Sequence, residues 1–261
     1  MTVARRTGRF LILAAALAFA AAGCAIGPGA GSGSPADAPG APSPSEVPVG
    51  SPTLATIRAD IEGRYMDQLL SIGDGAGKVI LQLRPTATAA AADIVDRYGS
   101  AVQVTVGFFP YPPPSSAPVG CGWAGSPMVD PGMLQAVIEL PSPRLDHSVG
   151  FSAKVKLTNH GATTLTFSTG QPLSIYLFKL DGTTLVGASP GAVAGTGLGL
   201  TLAPGASREI DAGGGSASCD LRLGYELPDG PYIARAAVEI DGSTGPAYFW
   251  SDPGSVQLMT P

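Results

Sequence analysis

The chain has 261 residues, of which only 13% are charged, against 36 glycines and 25 prolines. That composition argues against a helical bundle and for strands, turns and linkers, with a length suited to one ordinary domain and a smaller piece. Acidic residues outnumber basic ones 20 to 15, so no basic surface is on offer for nucleic acid or anionic headgroups.

The N-terminus carries Arg5, Arg6 and Arg9, then thirteen apolar residues from Phe10 to Ala22, then Gly23-Cys24. A basic head, an apolar middle and small residues at the end are the layout of a bacterial secretory signal over residues 1–23. A membrane-spanning helix needs about 20 apolar residues, more than this run supplies. Cys24 directly after the small residues resembles a lipobox, with Ala21 where Leu is usual. The motif implies a diacylglycerol on the Cys24 thiol, palmitate as an acyl chain of the anchor, and anchoring to the outer face of the cytoplasmic membrane. Removal of residues 1–23 leaves 12 basic against 20 acidic residues, a net charge of −8, so the membrane contact must come from lipid. Residues 24–52 are almost wholly Gly, Ala, Pro and Ser, with only Asp37 and Glu46 charged, and read as a disordered spacer.

Ile57, Ile61, Tyr65 and Leu69 recur at every fourth position, with Ile72 on the same face, which predicts an amphipathic helix ending at Gly73. Lys78–Leu83 reads as a strand. A second helix follows from Pro85-Thr86 to Tyr98, stopped by Gly99. Val102, Val104 and Val106 alternate as a second strand. Strand, helix and strand in this order imply parallel pairing, and hence a small α/β lobe over residues 53–109. Phe108 to Pro114 opens a stiff Pro-rich joint, residues 110–133.

From Leu134 the period becomes two. Phe151, Ala153, Val155 and Leu157 alternate with polar residues, Asn159-His160-Gly161 turns the chain, and Thr164–Ser168 returns it. Ser174–Leu180, Asp181-Gly182 and Thr183–Val186 form the clearest hairpin signal. Further strands are expected at 199–202, 207–210, 232–240 and 248–258, the last bent at Pro253. The expected fold is therefore α+β in two lobes, the second, residues 134–261, an antiparallel β-sandwich of immunoglobulin-like type. Cys121 and Cys219, an even pair in an exported chain, predict a disulfide.

Residues 148–240 resemble the intracellular proteinase inhibitor (BsuPI-type) domain. The resemblance rests on Leu157-Thr158-Asn159, Phe167 to Gln171, Asp181-Gly182, Ser189, Leu202 to Gly205 and Leu227 to Tyr232, in that order and spacing. It implies an immunoglobulin-like sandwich and, for function, peptidase inhibition. It assigns no inhibitory residue. An inhibitor would present an exposed rigid loop, and Gly187–Gly197, with Ser189 in it, is the longest candidate.

No catalytic set assembles. Gly187-Ala188-Ser189-Pro190-Gly191 fits the G-x-S-x-G nucleophile pattern, but Pro190 lacks the N–H an oxyanion hole would use, and no histidine follows His160 to complete the Ser…Asp…His order. Gly73 to Lys78 has neither the first glycine nor the Ser/Thr of a phosphate loop. There is no Cys-x-x-Cys, and His147 and His160 stand 13 apart without a cysteine nearby, so no metal or other cofactor is expected. Both histidines are expected in solvent at strand edges. Trp123 and Trp250 are candidates for a surface patch; alternation puts Phe249 opposite Tyr248 and Trp250, so one side of that strand must be core. The expectation is a lipid-anchored, non-enzymatic binding module outside the membrane, with a protein partner or a peptidase as its target and no nucleic acid.

Overall fold

The computed structural model describes residues 52–114, 121, 130–147, 150–191, 195–242 and 245–260. The predicted signal peptide, Cys24, nearly all of the 24–52 spacer and Trp123 lie outside the described residues. Residues 52 onward belong to one compact unit, an α+β fold of many strands with two helices among the described residues.

Helix α1, Leu54–Tyr65, begins where the Thr53 hydroxyl accepts the Thr56 N–H at 3.2 Å, a side-chain cap for an otherwise orphan donor. Its Ile57 and Ile61 are buried. The expected continuation through Leu69 and Ile72 does not form. Leu69–Gly75 is instead strand β1, antiparallel to β2, Lys78–Leu83, with Gly75 opposite Lys78. Ala76 (φ 51°) and Gly77 (φ 74°) supply the two left-handed residues that a tight two-residue hairpin needs. Once that turn closes, ladder pairing with β2 outcompetes a fourth and fifth turn of helix.

Helix α2, Thr88–Tyr98, ends at Gly99 (φ 50°), whose N–H bonds the Val95 carbonyl. Strand β3, Val102–Val106, then lies parallel to β2, as the strand–helix–strand pattern implies. Gly107 (φ 56°) turns the chain into β4, Phe109–Tyr111, antiparallel to β3. Phe109 to Tyr111, read from sequence at the boundary of a stiff joint, is thus the edge strand of a sheet ordered β1-β2-β3-β4. One face of this sheet is covered by the helices: Ile57, Ile61, Ala91 and Ile94 bury Val79, Leu81, Val104 and Val106.

Two tyrosines tie the helices together. Tyr65 donates to Asp93 and Tyr98 donates to Asp60. Burial, then the Asp60 contact, pushes the Tyr98 phenol up to about 12, while the Tyr98 hydroxyl, then Arg64, holds Asp60 below the usual carboxylate range. A raised phenol stabilises the fold fully below its unfolded value of about 10, and that stability is lost as pH rises toward 12. The depressed carboxylate contributes above its unfolded value of about 3.9 and loses its contribution as pH falls further. Urea midpoints against pH should therefore fall on the alkaline limb for the native chain and fall less for Tyr98→Phe. Identical alkaline limbs would show that the clasp is energetically idle.

The rest of the chain builds β5, Leu134–Glu139; β6, Arg144–Asp146; β7, Phe151–Asn159; β8, Leu165–Gln171; and β9, Leu173–Phe178. There follow β10, Leu185–Ala188; β11, Thr196–Leu202; β12, Ser207–Gly214; and β13, Ala217–Ser218. The last three are β14, Gly230–Gly242; β15, Gly245–Trp250; and β16, Gly254–Met259. The main sheet runs β5-β7-β12-β9-β14-β16-β6, with β10, β13 and β15 attached to its side. It is mixed rather than wholly antiparallel, because β12 pairs parallel with β9 and β16 parallel with β6. The Asp181-Gly182 hairpin forms between β9 and β10. Its Asp181 carboxylate accepts both the Thr183 and Thr184 N–H groups at 2.8 Å.

Strand β8 was expected to return against β7. It pairs instead with β11 as a separate two-stranded sheet, while β7 takes β5 and β12 as neighbours. Leu200 and Leu202 of β11 join Val155, Leu157, Ile175, Leu177, Ile210 and Val238 of the main sheet in one buried core, with Leu165 and Phe167 of β8 packed against it. Pro253 does interrupt the last strand, separating β15 from β16.

Candidate functional site

The disulfide places one predicted pair directly. Cys121 and Cys219 are bonded, their Cα atoms 4.8 Å apart across a sequence separation of 98. Cys219 is fully buried at the end of β13, its N–H held by the Val186 carbonyl at 2.8 Å.

Around Cys219, the chain from Ser216 to Leu227 folds back into a short ladder. Ala217 bridges Glu226, Ser218 N–H bonds the Tyr225 carbonyl at 2.9 Å, and Leu227 N–H bonds the Ser216 carbonyl at 2.9 Å. Gly187 of β10 faces the same ladder. A Cβ there would stand 2.5 Å from Leu227 Cδ1 and 3.1 Å from the Ala217 carbonyl, so the first glycine of Gly187-x-Ser189-x-Gly191 answers a packing demand. Tyr225 packs onto the core under the first sheet, and Gln82 of β2 donates to both the Gly107 and Pro190 carbonyls at 2.9 Å. The residues around Ser189 are therefore docked against the first sheet. Ser189, Pro190 and Gly191 are half-buried, while Gly195 to Gly197 are exposed.

The principal correction concerns His147. The sequence places it in solvent; in the structure it is 9% exposed. Parallel pairing of β6 with β16 draws residue 147 inward, its N–H to the Met259 carbonyl and its carbonyl to Ser216 Oγ at 2.7 Å. Ser216 Oγ also lies 3.0 Å from Glu226 Oε1. The imidazole stands between two carboxylates, Nδ1 3.4 Å from Glu226 Oε1 and Nε2 2.7 Å from Asp229 Oδ1. The second approach is close enough for an ion pair but is not aligned as a hydrogen bond, leaving the buried Nε2 without one. Asp229 also accepts the Thr260 hydroxyl at 3.0 Å. That bond, and less strongly His147, holds the Asp229 carboxyl below its usual range against the opposing effect of burial.

Two hollows open beside this imidazole. One, about 380 Å³, lies among Thr86, His147, Glu226, Leu227, Pro228 and Asp229. The other, about 100 Å³, lies among Arg84, Pro85, Thr86, His147, Ser189 and Pro190. Thr86 and His147 line both. The structure thus puts Ser189 and His147 on the wall of one hollow, a proximity that sequence reasoning missed because no motif spans residues 84, 147 and 189. Only the register of β6 on β16 and the Ser216–Leu227 ladder unites them.

The other predicted positions lie elsewhere. His160 is exposed as expected, 2.8 Å through Nε2 from Gln135 Oε1. Trp250 is half-buried and packs edge-on to Tyr176 and Phe178, ring centroids 5.5 and 5.1 Å away, while Phe249 is in the core. Among the described residues no group of three His, Cys, Asp or Glu side chains could hold a metal ion, and no helix is long and apolar enough to cross a membrane.

No family model and no curated protein matches the chain. Among solved structures it is similar to a β-glucosidase from Erythrobacter marinus (TM-score 0.30, 11% identity, 48% of this chain, 15% of that one). It is similar also to the C-terminal domain of wzt (0.30, 13% identity, 52% and 83%). A third is the CARDB domain of PF1109 from Pyrococcus furiosus (0.27, 12% identity, 48% and 87%). This chain spans less than a sixth of the glucosidase. Likeness at these scores carries no argument about fold or chemistry.

Proposed function

We propose that the protein is a lipid-anchored, extracytoplasmic, non-enzymatic binding module, its C-terminal region an immunoglobulin-like sandwich of BsuPI type. The two hollows beside His147 carry the binding reading: one joins the buried imidazole to Glu226 and Asp229, the other joins it to Arg84, with Leu227 and Pro228 in the first and Pro85 and Pro190 in the second as apolar wall. The Cys121–Cys219 bond favours an oxidising compartment. The shared core of the β8–β11 pair and the main sheet supports a two-layered sandwich. The net charge favours a small-molecule or protein partner over nucleic acid.

Palmitate labelling tests the anchor. The native chain should take up label and pellet with membranes, and Cys24→Ser should do neither. Label retained in Cys24→Ser would remove the lipoprotein reading. The alternative, an exported peptidase inhibitor, would have to use the exposed Gly195–Gly197 part of its candidate loop, since Ser189 is docked. Titrating the chain against serine peptidases separates the readings: stoichiometric inhibition without cleavage replaces the binding module by the inhibitor.

A further inference from the structure

We propose that the protein forms a twofold homodimer through strand β11, whose outer edge pairs antiparallel with the same strand of a second copy, centred on Gly199.

An open strand edge carries a row of unpaired N–H and C=O groups, and folded proteins guard such rows with charge, proline, short strands or cover. The other edges of this fold are guarded in that way. Strand β4 carries Pro110 and β15 carries Pro246. Strand β1 carries Asp74, and β6 is three residues long with Arg144 and Asp146 at its ends. On the far side of β5 the Ala136 carbonyl accepts the Asp252 N–H at 2.7 Å. Strand β8 has β14 alongside, close enough that a Cβ on Gly170 would stand 3.8 Å from Glu239 Oε2.

Strand β11, Thr196–Leu202, has none of these devices. It pairs with β8 along all seven residues, and no strand lies on its other side among the described residues. It holds no charged residue and no proline. Thr196, Gly197, Gly199 and Thr201 are exposed, and a Cβ added at Gly197 or Gly199 would meet nothing within 4 Å.

The strand is also matched to itself. Antiparallel pairing centred on Gly199 overlaps its whole length, setting Leu198 opposite Leu200 and Gly197 opposite Thr201 of the second copy. Residues directly opposite one another in such a pair share a face. Leu200 and Leu202, buried with the main-sheet core, then lie on one side in both copies, and the exposed positions on the other. No charge meets a like charge along the seam. A different protein as occupant would leave this self-match unexplained, and β11 offers it no charge to recognise. A twofold pair uses the open rim of both copies and so closes at two, where a head-to-tail contact would go on adding chains.

Seven residues a side is fewer than the about 20–30 of a standard interface, so the dimer is expected to be weak and reversible. Sedimentation velocity of the full chain in density-matched detergent, over a concentration series, tests it. The native chain should pass from monomer to dimer as concentration rises, without larger species. Gly199→Lys sets like charges opposite each other across the twofold axis and should weaken the dimer at least about tenfold, as should Gly199→Glu. An equimolar mixture of the two variants should restore dimers, a result that requires both to be folded. A native chain still monomeric near millimolar concentration overturns the proposal. So do dimers that both variants leave unchanged, or a mixture no more dimeric than its components. Each of these results leaves the anchored-module reading intact, since that reading does not depend on a second copy.

Discussion

Asn159→Ala is expected to destabilise the fold by about 2–4 kcal/mol, and Asn159→Asp by more. The side chain is fully buried where β7 leaves the main sheet. Its Nδ2 donates to the Thr163 carbonyl at 2.8 Å and to the Leu202 carbonyl at 2.9 Å, and its Oδ1 accepts the Gly161 N–H at 2.8 Å. One amide thus ties the end of β7 to the end of β11 and to the turn that leads into β8. Alanine strands two carbonyls and one N–H, each worth about 1–3 kcal/mol if water cannot reach it, and the turn gives water partial access. Aspartate is worse, because an oxygen would face two carbonyl oxygens where an NH₂ now donates. Urea midpoints of the full chain check this. A shift within about 0.5 kcal/mol for both variants, the size of an indifferent surface change, would refute it.

Loss of the Cys121–Cys219 bond should cost about 2–5 kcal/mol. The bond spans 98 residues of sequence, which include β5 through β13 and so most of the strands of the main sheet. Without it the unfolded chain regains the freedom of that long loop, for which the chain-entropy model gives about 4.7 kcal/mol at 100 residues. Cys219 is also fully buried beside β10, so its replacement by alanine adds a packing loss that reduction alone does not. Dithiothreitol should therefore lower the urea midpoint of the native chain and leave that of Cys121→Ala/Cys219→Ala unchanged. Equal midpoints for the native chain with and without reductant would sink the claim.

The elements legible in the sequence are those whose local and global demands agree. Lys78–Leu83, Thr88–Tyr98 and Val102–Val106 each show one clean period, a turn or cap at the end and one buried face. Leu69–Gly75 shows neither period: its apolar residues Leu69, Leu70 and Ile72 fit a helix as well as a strand, and only the left-handed pair Ala76-Gly77 decides between them. Strand β8 was legible as a strand but not in its pairing, because its partner β11 begins 25 residues after β8 ends and the choice depends on core filling by Leu200 and Leu202. The cleft was not legible at all. His147, Glu226 and Asp229 have no fixed spacing, and Arg84 comes from the other sheet.

Strand β4 has a further consequence. It is the outer strand of its sheet, and Pro110 stands opposite Thr105 in the ladder, with Pro112 to Pro114 following directly. Proline presents no N–H, so a foreign strand laid along that rim would find its acceptors without donors. An open rim of unpaired donors and acceptors would invite edge-to-edge fibre growth between copies. Pro110 in the ladder and the prolines directly after it make this rim a poor template for such growth.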